Sequence, residues 1–587
     1  MLLSCLLSRF ASPHFMPRSR CLHVIGRCCT QYHKISARVT FKPLFVVAIL
    51  VFFGITVPSS AQFEPDGVAV TPSASNTTSA CNASPQPPGV GCSTTFEGLT
   101  DHYPLISGPP APHVDTTVTV PPAANVSSVP FTTFLPPDGR TEIVCHFQIW
   151  WGSPLHHGTP MDQSNPQVVD RQIRNAILRG CNEVVFDWYG PGTAKGIVEH
   201  PDAAFQNHIV QLWQSNLNAR CSAAGGACAL RFALMEDVGT QTGRAELSSF
   251  ESDLQYAWLE YMNSPSYWTI SLGDCSDRPV FLAFGWEWPD ASAAGASWRG
   301  LKDWIHSGEG LNLRCAREPL VVTNGEEGLR FANTDGSYNW IGVNNYSDDR
   351  PGTVGIPGVS GNGQFDTHFE AGSEYSQADW LREAGQSSKL VKIASVYPGF
   401  NNTNTTYGFN AAAGHPYGWK LSRECGLVWI NSWSQIKSAL LASSTSSIRY
   451  VGIVTWNDYE EGTAIEPGID NCLEDDSIHA TLHGHRIEWR YRFASSHQAH
   501  ISGSPLTIHH FALWQRSGNN WTELSNPRTG LQDVRCLRSD HSSYHCHAPL
   551  PLKMGKLEQE TLYLQIVGQP SIRNHLSPPI TITRHLQ

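Results

Sequence analysis

Eight short apolar runs alternate with helical patterns between residues 141 and 470, and this constrains the fold of the 587-residue chain more than any other feature. The runs are TEIVCHFQIWW (141–151), EVVFDW (183–188), CALRFALMED (228–237), RPVFLAFGW (278–286), EPLVVTNG (318–325), NWIGVNNY (339–346), KLVKIASVYPG (389–399) and IRYVGIVTWND (448–458). They are almost continuously apolar, as strands covered on both faces must be. Between the first two, Asn165 can cap a helix with Pro166 at its first position, and Gly180 stops it. Val169, Ile173, Ala176 and Ile177 fall on one face of that helix. Phe205, Ile209, Leu212, Trp213 and Leu217 keep the same period, as do Leu247, Phe250, Leu254, Ala257, Trp258 and Tyr261. Further helical patterns lie near 297–306, 373–385 and 423–441. This alternation predicts an α/β chain folded as a (β/α)8 TIM-like barrel over 141–478. A doubly wound open sheet is the alternative, but no Gly-x-Gly-x-x-Gly opens a βαβ unit.

The flanks read differently. From residue 480 helical periodicity stops. IEWRYRF, LTIHHFALW and TLYLQIV alternate between Ser, Gly, Asn and Pro turns, which predicts a small all-β sandwich over 480–587. Residues 62–140 hold 14 of the 39 prolines and read as a linker or an arm lying on the next domain. Residues 1–61 carry seven Lys/Arg and no acid. Within them, LFVVAILVFFGITV (44–57) follows Arg38 and Lys42 and precedes Ser59 and Ala61, the pattern of a signal peptide. Its 14 residues fall short of the ~20 that a span requires. An uncleaved anchor is the other reading, and the only route to a membrane; Met16 is an alternative start. The expected location is secreted, extracellular or at the cell surface.

The remaining chain has 33 basic and 51 acidic residues, a charge of −18, so it carries no global footprint for nucleic acid. Twelve of the 16 cysteines lie beyond the leader, an even number suited to disulfides. Spacing suggests Cys81 with Cys92, Cys221 with Cys228 and Cys536 with Cys546. Cys275–Cys315 and Cys425–Cys472 are further pairings to test. No Cys-x-x-Cys, Walker A, Gly-x-Ser-x-Gly or His-Glu-x-x-His sequence occurs, so no cofactor or metal is expected. His156-His157 reads as surface loop.

In such a barrel, catalytic groups come from the carboxyl ends of the strands. Polar and aromatic residues gather there: Gln148, Trp150 and Trp151; Asp187, Trp188 and Tyr189; Glu236 and Asp237; Trp286 and Glu287; Asn344, Asn345 and Tyr346; Tyr397; then Trp456, Asn457, Asp458, Tyr459, Glu460 and Glu461. Carboxylates among aromatic rings suit sugars. Rings cover the apolar faces of pyranoses, and glycosidic cleavage commonly uses two carboxyl groups. Asp458 and Glu461 are the pair expected to do this work. Glu460 and Glu466 add charge that keeps a proton on one member, expected to be Glu461. Glu460 is expected to point away from the pocket. Asp187, Trp188, Tyr189, Glu236, Trp150, Trp151, Asn344, Tyr397, Trp456 and Asn457 are the expected substrate-binding residues.

The segment VTWNDYEEGTAIEPG (454–468) resembles glycoside hydrolase family 99, the endo-α-mannosidases and endomannanases. There an Asn-Glu-x-x-Glu-Gly-Thr segment bears both catalytic carboxylates. It is also similar to family 71, the α-1,3-glucanases, with a Trp-Asn-Asp-Tyr-Gly-Glu variant. FDWYGPG (186–192) and YPGFNNT (397–403) are similar to further family 99 segments. The resemblance covers roughly 141–470. It implies that Asp458 deprotonates the substrate's own 2-hydroxyl and that Glu461 protonates the leaving oxygen. Asp458 is one methylene shorter than the family 99 Glu, and Asn402 stands near where that family has Asp. Asp458 suits family 71 better, so an α-glucan is as open as an α-mannan. The ending LYLQIVGQ…LSPPITIT resembles the last strands of a fibronectin type III or immunoglobulin-like module. The expected function is a secreted endo-acting glycoside hydrolase; the alternative is a non-catalytic carbohydrate-binding or surface protein.

Overall fold

The computed structural model describes residues 126–583, apart from 138, 154–155, 157–161, 192–201, 239–245, 274, 287, 293–294, 342–376, 402–419, 422, 443–447, 495–502, 519 and 552–560. The leader, the Cys81 and Cys92 pairing, residues 62–125 and Asn344 lie outside them.

Eight parallel strands close on themselves: β1 (Glu142–Gln148), β2 (Glu183–Trp188), β3 (Arg231–Asp237), β4 (Cys275–Phe284), β5 (Leu320–Asn324), β6 (Gly336–Tyr338), β7 (Val391–Val396) and β8 (Tyr450–Ile453). β1 pairs with β8, and β3 with β4, which completes the (β/α)8 barrel. The helices are α1 (Pro166–Arg179), α2 (Ala203–Ala223), α3 (Leu247–Glu260), α4 (Trp298–His306), α5 (Glu327–Arg330), α6 (Gln377–Gln386) and α7 (Leu427–Leu441). α1 starts and stops as its residues dictate. Asn165 accepts from the Gln167 amide, Pro166 follows, and Gly180 takes a left-handed φ of 91°. Val169, Ile173 and Ala176 are buried against the strands.

Two features depart from the sequence reading. The sixth strand is Gly336–Tyr338, a few residues before the apolar run at 339–346. Gly336 packs so close to β7 that a Cβ would lie 2.1 Å from the Val391 carbonyl oxygen, and Ser337 donates its hydroxyl hydrogen to the Gly325 carbonyl. Close backbone approach, not hydrophobicity, selects that segment. A short strand, Thr269–Leu272, also pairs antiparallel with the start of β4.

The C-terminal sandwich packs one five-stranded sheet on one of four. The strands are β9 (His479–His483), β10 (Arg486–Arg492), β11 (Ile508–Ser517), β12 (Asn520–Glu523), β13 (Arg535–Arg538), β14 (Ser543–Pro549), β15 (Thr561–Gly568), β16 (His575–Leu576) and β17 (Thr581–Thr583). The sheet orders are β13-β14-β10-β9-β17 and β12-β11-β15-β16. Alternation is clean in β10, where Ile487, Trp489 and Tyr491 are buried. The turn between β15 and β16 enters the barrel wall. Ile572 joins the barrel core, the Arg573 amide donates to the Ile469 carbonyl, and the Trp429 indole donates to the Pro570 carbonyl at 2.8 Å. Val126 and Ser127 pair with the Ile572–Arg573 turn, and the following Phe131–Phe134 turn packs on α7, with Phe131 stacked on Trp433.

Five disulfides join described residues: Cys145–Cys181, Cys221–Cys228, Cys275–Cys315, Cys425–Cys472 and Cys536–Cys546. They mark the oxidising environment of extracellular or secreted proteins. No helix among the described residues is long and apolar enough to cross a membrane. Cys145–Cys181 escaped the spacing argument because it joins mid-β1 to the turn two residues before β2, 36 positions apart. Cys145→Ala with Cys181→Ala is expected to cost about 2–4 kcal/mol, read as a lowered denaturant midpoint. An unchanged midpoint would show that the bond constrains nothing.

Candidate active site

Strand register decides which polar residues meet. Gln148 pairs with Asp187 across β1 and β2, so both side chains lie on one face. Asp187 pairs with Met235 on β3, which puts Asp237, two residues on, on that face too. Trp188 pairs with Glu236 on the opposite face. That face meets the helices: the Trp188 indole donates to Asn207 Oδ1 on α2 at 3.1 Å, and its ring stacks on Tyr256 of α3. Trp188 and Glu236 are therefore wall residues, contrary to expectation, and Asp237 replaces Glu236 at the mouth. Beneath the mouth, His146 is wholly buried beside Tyr338 and Trp340, and burial pushes its imidazole down to about 3. Gly452 leaves room for it, since a Cβ there would lie 3.1 Å from His146 Nε2.

The loop after β8 folds into a knot that presents Asp458. The Asp458 amide donates to Thr455 Oγ1 at 2.8 Å, and that hydroxyl meets the Thr463 hydroxyl at 2.8 Å. The Asp458 carbonyl accepts from the Thr463 and Ala464 amides; the Trp456 carbonyl accepts from Ile465 and Glu466. Asn457 ties this loop to β1. Its Oδ1 accepts from the Gln148 amide at 2.8 Å, and its Nδ2 donates to the Gln148 carbonyl at 2.9 Å. Both ends of the Asn457 amide are thus committed to Gln148, so it clamps two strands and does not read a substrate. Trp456 turns outward, stacks on Phe147 and receives the Arg179 guanidinium 4.8 Å from its centroid. It too is a correction, because a ring inside the strand–helix layer cannot meet a sugar.

Asp458 itself is buried. Its Oδ1 accepts from the Glu461 amide at 2.9 Å and its Oδ2 from Gln148 Nε2 at 3.1 Å. Burial raises its carboxyl to about 7, with Glu460 adding repulsion, while those two donors and the nearby His156 pull it down. Burial lifts Asp187 well above the carboxylate range, and Asp237, Asp458 and Glu461 push it further. Gln148 also hydrogen-bonds Asp187 and opposes this rise. Asp187, Asp237, Asp458 and Glu461 therefore share one electrostatic pocket. Glu461 is only half-buried.

Further contacts beside the pocket hold it in place. His156 Nδ1 lies 2.8 Å from Glu460 and its Nε2 3.3 Å from Asp202. Burial lowers its imidazole, but these two acids outweigh burial and raise it to about 9, so it is an imidazolium at neutral pH. Glu460 is thereby engaged with His156 beside the pocket, and His156 is not the open surface residue expected. Trp150 stacks with His156 at 4.9 Å and with Tyr189 at 5.7 Å; Trp151 packs edge-on against Tyr459 and donates to the Asn457 carbonyl. Trp150, Trp151 and Tyr397 are buried, so among the expected aromatic contacts only Tyr189 is partly open. Trp150 and Trp151 act as a buried floor, and the expected open ring of aromatics is absent among the described residues. Carboxylates dominate the described mouth.

The Tyr459 hydroxyl donates to Glu466 Oε2 at 3.0 Å, and Arg179 donates to the Ile465 and Glu466 carbonyls, each at 3.0 Å. Gln148 and Asp237 stand among the strand-end candidates but outside the expected substrate-binding set, whereas His156 reads as surface loop and Arg179 is not singled out. Asp237 is legible as a strand-end acid, but its choice over Glu236 follows from the register that pairs Met235 with Asp187. The other three are set by contacts across the barrel.

No protein-family model matches the chain, and no curated protein matches it in sequence. No group of three or more His, Cys, Asp and Glu side chains among the described residues is arranged to hold a metal ion. Buried carboxyls with raised pKa beside a half-exposed one can hold and move protons near neutral pH.

Proposed function

We propose that the chain is a secreted or surface-displayed glycoside hydrolase that cuts internal α-linkages of a mannan, glucan or related glycan. The observation that carries this reading is the pocket of Asp187, Asp237, Asp458 and Glu461 at the carboxyl end of a (β/α)8 barrel, with Asp458 and Asp187 raised by burial. Glycosidic cleavage asks for one carboxyl that gives a proton to the leaving oxygen and one that takes a proton or attacks. Glu461, half-buried at the edge, is the proton donor in this reading. Asp458 accepts two hydrogen bonds that favour its charge and titrates at about 7, a value matched to a base working near neutrality. It would take the proton of the sugar's 2-hydroxyl, as the resemblance to families 99 and 71 implies. Asp187 retains its proton and serves as a hydroxyl donor; Asp237 serves as an acceptor. The sandwich is the accessory module. Its division into β9, β10, β13, β14 and β17 on one sheet and β11, β12, β15 and β16 on the other supports an immunoglobulin-like reading.

The test is reducing-end release from a panel of α-mannans and α-glucans. The expected products are oligosaccharides of intermediate size, the mark of an endo-acting enzyme. Binding of any of these polymers with no release by the unaltered protein would overturn the proposal in favour of a non-catalytic barrel.

A further inference from the structure

The outer face of the five-stranded sheet is a cationic platform on an otherwise acidic protein. Alternation in β10 buries Ile487, Trp489 and Tyr491 and turns Arg486, Glu488 and Arg490 outward. Register extends that face across neighbours. Arg490 pairs with His545 and Glu488 with His547 on β14, and Arg535 on β13 pairs with the same His547. Arg492 follows in the same phase but is paired with Glu474, and β9 adds His479 opposite Arg490 and His483 opposite Arg486, so the face carries four arginines and four histidines around Glu488. Arg486 spends part of its charge on Glu488 at 3.3 Å, whereas Arg490 and Arg535 form no ion pair among the described residues. Partial burial, together with the charges of Arg486 and Arg535, holds the His547 imidazole below its ordinary range, so these cations are gathered closely enough to act on one ring. The Cys536–Cys546 disulfide cross-links β13 to β14 and keeps the platform in register. Residues 62–587 carry −18 overall, so this local excess of positive charge is segregated against the average.

We propose that this face binds an anionic polysaccharide, tethering the chain to a carboxylated or sulfated matrix independently of any turnover by the barrel. Planar arginine forks suit carboxylate and sulfate oxygens. A nucleic acid fits less well. Non-specific single-strand binding stacks bases on aromatic side chains, and those of β10 face the core. The disulfides also place the chain where the common polyanions are glycans.

Affinity electrophoresis of the full chain at pH 6 and low salt tests this, with polygalacturonate, dextran sulfate, neutral dextran and labelled poly(dT) as probes. Retardation by either anionic polysaccharide, without retardation by dextran, is the expected result. Response to one or both tells a carboxylate-specific from a sulfate-specific or charge-only site. The variant Arg486→Ser/Arg490→Ser/Arg535→Ser should bind about tenfold or more weakly, and binding by the unaltered chain should fall as salt rises. Its thermal midpoint should be unchanged, since all three side chains are exposed. Equal retardation by dextran, tighter binding to poly(dT), no retardation by either anionic polymer, or undiminished binding by the triple variant would each overturn the proposal.

Discussion

Asp458→Asn is expected to abolish glycan cleavage and, at pH 7, to make the protein more stable. The first effect follows from its place in the pocket: an amide cannot take a proton, and loss of a positioned base costs roughly 10²–10⁴-fold in rate. The second follows from its burial. Ionised Asp458 sits out of water near three other acids, and its carboxyl is raised from 3.8 to about 7. The folded state therefore holds this proton more tightly than the unfolded chain does. The resulting stability is fully present below about pH 4 and is lost as pH rises through about 7. The Asn variant lacks this loss, so its advantage should grow from pH 4 to pH 8 and reach on the order of 2–4 kcal/mol. Thermal midpoints of both proteins across that range check the sign. A variant less stable than the parent at pH 8 would refute the electrostatic picture. Glu461→Gln should also stop cleavage but give little stability, because it is the Glu461 backbone amide that holds Asp458, while its side chain is half-exposed. In the active protein, kcat/KM should fall on the acid side of about pH 7 as Asp458 gains its proton. Gln148→Leu, which removes a donor to Asp458, should move that limb to higher pH.

Arg179→Met is expected to destabilise the fold by about 3–5 kcal/mol, the usual cost of breaking a buried, fully engaged charge. Arg179 is the last residue of α1 and is 3% exposed. Its guanidinium donates to the Ile465 and Glu466 carbonyls and to Ser571 Oγ at 3.3 Å, and it covers the Trp456 ring. Methionine fills similar volume but leaves two buried carbonyls without those donors. Arg179 thus links the loop that carries Asp458 to the sandwich turn at 569–573. Unfolding in urea should show the lowered midpoint, with a fall in kcat for the proposed cleavage larger than the rise in KM because the loop carrying Asp458 loosens. Arg179→Lys should recover only part, since an ammonium lacks the planar fork that spans both carbonyls. An unaltered midpoint in the Met variant would show that the loop is held by its internal hydrogen bonds alone.

These two residues show where sequence reading succeeds and where it stops. Asp458 was legible because it directly follows an apolar run, and a barrel's chemistry gathers at such ends. Arg179 was legible only as the basic end of a helix. Its partners are 286, 287 and 392 positions away, and nothing local announces them. Glu236 and Asp237 make the same point within two residues. Both follow an apolar strand, but only pairing with β2 decides which one shares the face of Asp187. Trp188 and Trp456 looked like sugar platforms by position, but the phase of Trp188 in β2 and the fold of the loop after β8 around Trp456 turn both rings to the helices instead.

The sequence by itself determined the elements and their order. A 2.0 or 3.6 period, a cap at Asn165 and a stop at Gly180 are local properties, because they arise from backbone geometry within a few residues. It also determined that acids would crowd one end of the barrel. Only the tertiary structure decided which of them meet, that burial raises Asp458 and Asp187, that Asn457 and Trp456 are structural, and that Cys145 pairs with Cys181. The physical reason is that desolvation, charge coupling and strand register depend on neighbours distant in sequence. Those neighbours come together only when the eighth strand closes against the first.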